Sequence, residues 1–171
     1  MTPLDRLYAV LEGASYDGCA TCGICCSNPW LHEEEAALLR PLAPLDIVEG
    51  VPFLAGEPCS CLSGTHCTQY GLRPLDCRLY PLDLVEEEGE LWWVIFSDCR
   101  APDALAAVLV PRIPALEALF TAEVLQRFQR QIAVTRRIWL PYAEKRYRKI
   151  QKFRQGPAAF GVGDGEAARS D

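Results

Sequence analysis

The sequence predicts a small α+β fold: an irregular cysteine-rich metal-binding core, a short hairpin and a long C-terminal amphipathic helix. Three observations carry that reading. Nine cysteines stand in a chain of 171 residues, crowded into short runs rather than scattered. Two apolar segments, Leu82 to Val85 and Leu91 to Phe96, flank the polar run Glu86 to Glu90 with its Gly89, the pattern of a hairpin. Beyond Pro114, the apolar residues Leu116, Phe120, Val124, Phe128, Ile132 and Trp139 recur four or seven apart, which marks one face of a helix.

The remaining elements follow in chain order. Thr2 is placed to cap a helix opened by Pro3, with Leu4, Leu7, Tyr8 and Leu11 at helical spacing before Gly13. Residues 13–30 mix Gly, Ser, Asn and Pro among four cysteines, which is loop chemistry. His32 to Arg40 is the next helix, with acidic residues in its first turn and Pro41 as its stop. Six prolines and four further cysteines lie between Pro41 and Pro81, so irregular, ligand-bearing loops are expected there, with a metal standing in for a missing core. The amphipathic helix is expected to bury Phe120, Val124, Phe128 and Ile132 and to expose Arg130 and Arg137. Pro141 should kink or end it, and Tyr142 to Arg154 should continue as a basic helix with Tyr147 and Ile150 on one side. The tail, rich in Gly and Ala, is expected to be disordered. The chain thus divides into a cysteine-cluster domain over residues 1–110, a helical extension over 111–155 packing on it, and the tail over 156–171.

Size and charge narrow the function classes. Half of the residues are apolar, enough for one domain with a core of its own. No stretch approaches the roughly 18 to 20 apolar residues of a membrane span, so no membrane association is expected. The first residues show no basic region followed by an apolar run, so the chain is expected in the cytoplasm, where clustered thiols serve as metal ligands or redox groups rather than disulfides. The net charge of -6 conceals an asymmetry: residues 1–111 carry 5 basic against 17 acidic side chains, and residues 112–154 carry 11 against 3. Contact with a polyanion would fall to that basic third, yet the acidic remainder disfavours nucleic acid, and a solvated helix face explains the basic residues more simply. A protein partner stays open.

The run Cys19-Ala-Thr-Cys22-Gly-Ile-Cys25-Cys26 sets four sulfurs within eight residues, and Gly18 and Gly23 can supply the positive φ angles of a turning loop. Zinc and iron–sulfur clusters both take four such thiolates, so the spacing points to metal without selecting which. Three familiar patterns fit less well. Radical-SAM spacing requires a cysteine where Pro29 stands, the bacterial ferredoxin run requires one there too, and a thioredoxin-type pair would be isolated rather than crowded among four thiols.

The second group reads Cys59-Ser-Cys61-Leu62, then Cys67-Thr-Gln-Tyr70-Gly-Leu-Arg73-Pro74-Leu-Asp-Cys77-Arg78-Leu-Tyr80-Pro81, then Asp98-Cys99-Arg100-Ala101. Together with the first run, these residues resemble the CxxCxxCC family of zinc- or iron-chelating proteins, also called YkgJ-type cysteine cluster proteins. The resemblance runs from Cys19 to about Ala101 and implies metal ligands at Cys19, Cys22, Cys25, Cys26, Cys59, Cys67, Cys77 and Cys99. Cys61 is then the odd thiol, able to replace Cys59 as ligand. Eight ligands suit two four-thiolate sites, or one cluster and a smaller centre. The cofactor implied is an iron–sulfur cluster, [4Fe–4S] above all, or zinc.

Four thiolates on one centre leave about two negative charges, which gives Arg73 and Arg78 a reason to accompany the site as charge-neutralising hydrogen-bond donors. Arg73 could equally pair with Asp76 or cap a turn. Tyr70 and Tyr80 are expected as walls, His66 as a weak alternative ligand, and His32 as a solvated or capping residue. The family's cysteine domain also occurs in flagellin lysine N-methylases, so the resemblance implies electron transfer or support of a redox or methyl-transfer enzyme. The alternative is a non-catalytic, zinc-stabilised interaction module. With no S-adenosylmethionine motif, no phosphate loop and no serine, histidine and carboxylate set in the sequence, no reaction is assigned.

Overall fold

A computed structural model describes residues 1–14, 18–138 and 146–154. Helix α1 (Pro3–Leu11) starts as its residues dictate: the Thr2 hydroxyl accepts the Asp5 amide, the Asp5 carboxylate accepts the Thr2 amide, and Pro3 opens the first turn. The chain continues through α2 (Glu33–Leu39), strands β1 (Leu45–Val48) and β2 (Val51–Leu54), the two-residue strands β3 (Leu62–Ser63) and β4 (His66–Cys67), and helix α3 (Leu75–Leu79). Then follow β5 (Leu82–Glu87), β6 (Glu90–Phe96), α4 (Pro102–Leu109), α5 (Ile113–Glu117), α6 (Ala122–Ile138) and β7 (Tyr147–Lys152). The strands form two small hairpins, β1–β2 and β3–β4, and an antiparallel sheet in the order β5-β6-β7.

The predicted hairpin is present as β5 and β6, turning through Glu88 and Gly89, both at positive φ. Alternation assigns its faces: Leu82, Leu84, Trp93 and Ile95 enter the main core, and Val85, Val94 and Phe96 form a small cluster on the other side. Helices α1, α3, α4, α5 and α6 pack around the first face, with Leu7, Leu79, Leu109, Leu116 and Phe128 all buried.

Among the described residues the long C-terminal helix is not observed, and Trp139 of its expected face lies outside them. The apolar period from Leu116 onward spans two helices, because Thr121 caps α6 afresh, its hydroxyl accepting the Val124 amide at 3.3 Å. Phe120, Val124, Phe128 and Ile132 are buried, and Arg130 and Arg137 are exposed, so the face itself is as read. The basic helix over Tyr142 to Arg154 is also corrected, since residues 147–152 form β7 on the open edge of β6. Tyr147 and Ile150 do not share a side: Tyr147 packs with Val85, Val94 and Phe96 on one face of the sheet and Ile150 against the main core on the other, with a β-bulge at Ile150 where Trp93 pairs with Gln151 and Val94 with Lys149. Pro141 and the tail from residue 156 lie outside the described residues.

Residues 41–81 also hold more core than their prolines suggest. All of β2 is buried, and it pairs with β1 while Pro29–Leu31 run along it through Leu31 N–H to Pro52 O at 2.8 Å and Leu54 N–H to Pro29 O at 3.0 Å. Leu31, Ala36, Leu39, Ala43 and Leu54 make a second apolar cluster distinct from the main one.

Two glutamates join the layers. Glu35 is 3% exposed and accepts hydrogen bonds from the Tyr8 hydroxyl, the His32 amide at 2.7 Å and the Leu75 amide at 2.6 Å, linking α1, α2 and α3. Burial pushes its carboxyl above the usual range, against the pull of those donors. Glu117 accepts from the Trp93 indole and the Arg154 amide, each at 2.9 Å, locking the end of β7 to the sheet and α5. Glu35→Ala strands three donors and should lower the unfolding free energy in urea by about 3 kcal/mol, whereas Glu35→Gln should cost less.

His32 caps α2 from a buried position against Trp30 and Phe128, and burial pushes its imidazole down to about 4 from an ordinary 6.5. A depressed folded-state value means the unfolded chain binds the proton first as pH falls. The stability contribution is therefore present above pH 6.5 and lost toward pH 4, by about 3 kcal/mol in all. Urea unfolding of wild type and His32→Leu across that window should give curves whose slopes differ by this amount; Glu35 contributes equally to both and cancels. Parallel curves would show that His32 does not stay neutral in the fold.

Candidate metal centre

The first cysteine run is bent back on itself by local backbone chemistry. Cys19 to Thr21 form one 3₁₀ turn, closed by the Cys22 amide on the Cys19 carbonyl at 3.4 Å, and Gly23 at φ 68° reverses the chain into Cys25 and Cys26. Gly23 is required twice over, for its left-handed φ and because a Cβ there would press within 3.2 Å of both Leu62 δ-carbons. That contact, with the Cys59 amide on the Cys26 carbonyl at 2.9 Å, fastens the first run to the β3–β4 hairpin.

Leu62 faces Cys67 across this hairpin, and Thr68 grips the Cys61 carbonyl with both its amide at 2.9 Å and its hydroxyl at 3.0 Å. Helix α3 brings Cys77 from the other side, seated by the Trp30 amide on Asp76 at 3.2 Å. Cys99 follows the end of β6, where the Ala101 amide donates to its sulfur at 3.4 Å.

Every cysteine except Cys22 lines one open cavity of about 280 Å³, and Cys22 stands within electrostatic reach of Cys99. Ile132 and Thr135 of α6 and Leu105 of α4 form part of its wall, so the C-terminal helices enclose the cysteine loops. All nine cysteines are described and none is in a disulfide. Among the described residues, no three Cys, His, Asp or Glu side chains stand together at metal-holding geometry; the thiols face a shared space rather than a single point.

Their protonation follows from this setting. Burial pushes the Cys59 thiol up to about 11, and raises Cys61, Cys99 and, most strongly, Cys77. Neighbouring thiols add to the rise: Cys25 and Cys59 act on Cys77, and Cys19, Cys22 and Cys25 act on Cys99. A bound cation reverses the sense of these shifts, because its charge stabilises thiolate.

Arg73 lines the cavity, stacks its guanidinium 3.7 Å from the Tyr70 ring centroid, and lowers the Cys77 value by its charge. Arg78 turns elsewhere, onto the carbonyls of Arg73 at 2.8 Å and Gly71 at 3.1 Å and over the ring of Tyr8. Tyr70 and Tyr80 are walls of the cavity, and His66 is exposed at the hairpin tip and does not line it. The sequence reading passed over Asp98, whose carboxylate accepts the Tyr80 hydroxyl at the cavity wall. Its position beside Cys99 was the available signal.

Residues 18–95 match the family model CxxCxxCC, described as a putative zinc- or iron-chelating domain. No curated protein and no solved structure matches the chain. Cys99 falls beyond the matched segment yet reaches the same cavity.

The two arginines should separate in mutation. Arg73→Leu should weaken metal binding roughly tenfold or more, read by chelator competition, since it removes the charge facing the thiolates. Arg78→Leu should act on urea stability first, by about 1 to 2 kcal/mol, through its lost carbonyl contacts.

Proposed function

We propose that this chain, whose residues 18–95 carry the CxxCxxCC chelating domain, is an iron–sulfur protein that exchanges electrons with a protein partner across the mouth of the cysteine cavity. The cavity carries the reading. Eight thiols border a space of about 280 Å³, whereas a lone tetrahedral zinc draws four sulfurs to about 2.3 Å and needs no interior room. The donor set is also the right one, since Cys thiolate is the ligand of [4Fe–4S] and [2Fe–2S] cores.

When bound, a cluster supplies a reversible one-electron couple. Its four thiolate ligands would come from the cysteines of the two runs and Cys99. Arg73 offsets thiolate charge, and Leu105 of α4 and Ile132 of α6 add apolar wall to the site. Ile24 and Leu72 are exposed at the rim, giving a partner an apolar foothold beside the exposed Cys25. Delivery of electrons to a redox or methyl-transfer enzyme suits such a carrier.

A second reading, a zinc-stabilised interaction module, draws on the β3–β4 hairpin. Its strands are two residues long, too short to hold themselves without a crosslink such as metal. Protein purified without oxygen should be brown, contain iron and acid-labile sulfide, and bleach reversibly with dithionite. A colourless protein with stoichiometric zinc, refusing iron and sulfide on reconstitution, would overturn the iron–sulfur reading in favour of the module.

A further inference from the structure

Nine thiols are one more than two tetrahedral sites need, and the fold sorts them unevenly. We propose that Cys26, Cys59, Cys61 and Cys67 form a four-thiolate centre of their own, for a zinc- or iron-class ion, beside a separate centre on Cys19, Cys22, Cys25 and Cys99. The proposal rests on the chelating role argued above and is independent of which metal is bound.

Cys61 is the residue that changes the assignment, since the family pattern passes over it. It is 4% exposed, lies on the cavity wall and is fixed by the double grip of Thr68 on its carbonyl. A turn closed by Leu62 N–H on Cys59 O at 2.8 Å brings Cys59 beside it, and the hairpin register brings Cys67 next to that turn. Cys26 joins them through its carbonyl bond to the Cys59 amide. These four cysteines share one packing environment: Cys59 and Cys61 belong to the smaller apolar cluster with Leu31, Leu39 and Leu54, and Cys26 and Cys67 pack against it. Cys19 and Cys99 pack instead against the main core.

The adjacent pair Cys25-Cys26 is then explained. Here Cys25 is exposed while Cys26 packs against the smaller apolar cluster, so the pair divides between two centres. Closing the hairpin site requires side-chain rotation of its thiols onto one point, with the ion replacing their protons. Cys77, carried on α3 rather than on the first run or the hairpin, is left outside both quartets.

The test is zinc titration of the metal-free full-length chain, with bound zinc counted by mass spectrometry and its sulfur neighbours by X-ray absorption. Wild type should take two zinc ions, each with four sulfurs. Cys61→Ala and Cys22→Ala should each take one, the double variant none, and Cys77→Ala two. Because a variant can fail through misfolding, wild type loaded with zinc is also stepped through chelator and alkylated: Cys26, Cys59, Cys61 and Cys67 should become reactive together, apart from Cys19, Cys22, Cys25 and Cys99. One zinc per wild-type chain, retention of two four-sulfur sites in Cys61→Ala, loss of a site in Cys77→Ala in its place, or release of the two sets as one would overturn the split. Absence of iron and sulfide from the isolated protein would end the iron–sulfur reading while leaving these counts to decide the split.

Discussion

The buried carboxylate of Glu35 holds three helices in register by one group. It takes a hydroxyl from α1, the amide that starts α2, and the amide that starts α3. An ionisable side chain so deep is costly unless its oxygens are occupied, and here three donors occupy them. The position of α3 follows from that tie, and with it the position of Cys77 and of the loop that carries Arg73. Asp76 reinforces the arrangement by accepting from Trp30, whose neighbours continue along β2. The metal-binding loops are thus suspended from a polar joint that lies outside the cavity they line.

The charge asymmetry of the sequence is spent largely within the molecule. The acidic turn between β5 and β6 meets the basic strand β7: Glu87 pairs with Lys149 and receives the Tyr147 hydroxyl, and Glu90 pairs with Lys152. Arg130 donates to the Glu49 carbonyl and Arg137 pairs with the Glu49 carboxylate, binding α6 to the β1–β2 turn. Each exposed pair is worth little alone, but together they set the C-terminal third against the acidic body. They also leave α6 aligned over the thiols.

What the sequence disclosed, and what it hid, divides by the range of the interaction. The caps of α1 and α2, the β5–β6 hairpin and the buried face of α6 are encoded within a few residues, so spacing and turn chemistry sufficed. The thiols are legible for a related reason, because ligand chemistry ties function to residue type directly. The break before α6 was visible only in Thr121, whose capping role was masked by an apolar period that continues across it. Strand β7 was masked because its pairing is with β6, about fifty residues earlier in the chain. The burial of Glu35, Glu117 and His32 is not legible locally because their partners, Leu75, Trp93 and the ring of Phe128, lie far away in sequence. Arg78 has the same cause, its ring contact being to Tyr8.

The sheet order places a constraint on assembly in time. Strand β7 joins β6 across about fifty intervening residues, and Glu117 clamps its end only once α5 is in place. Every cysteine precedes residue 100. During synthesis, all nine thiols therefore leave the ribosome before the residues that wall their cavity from the C-terminal side, Leu105, Ile132 and Thr135, and before the third strand of the sheet.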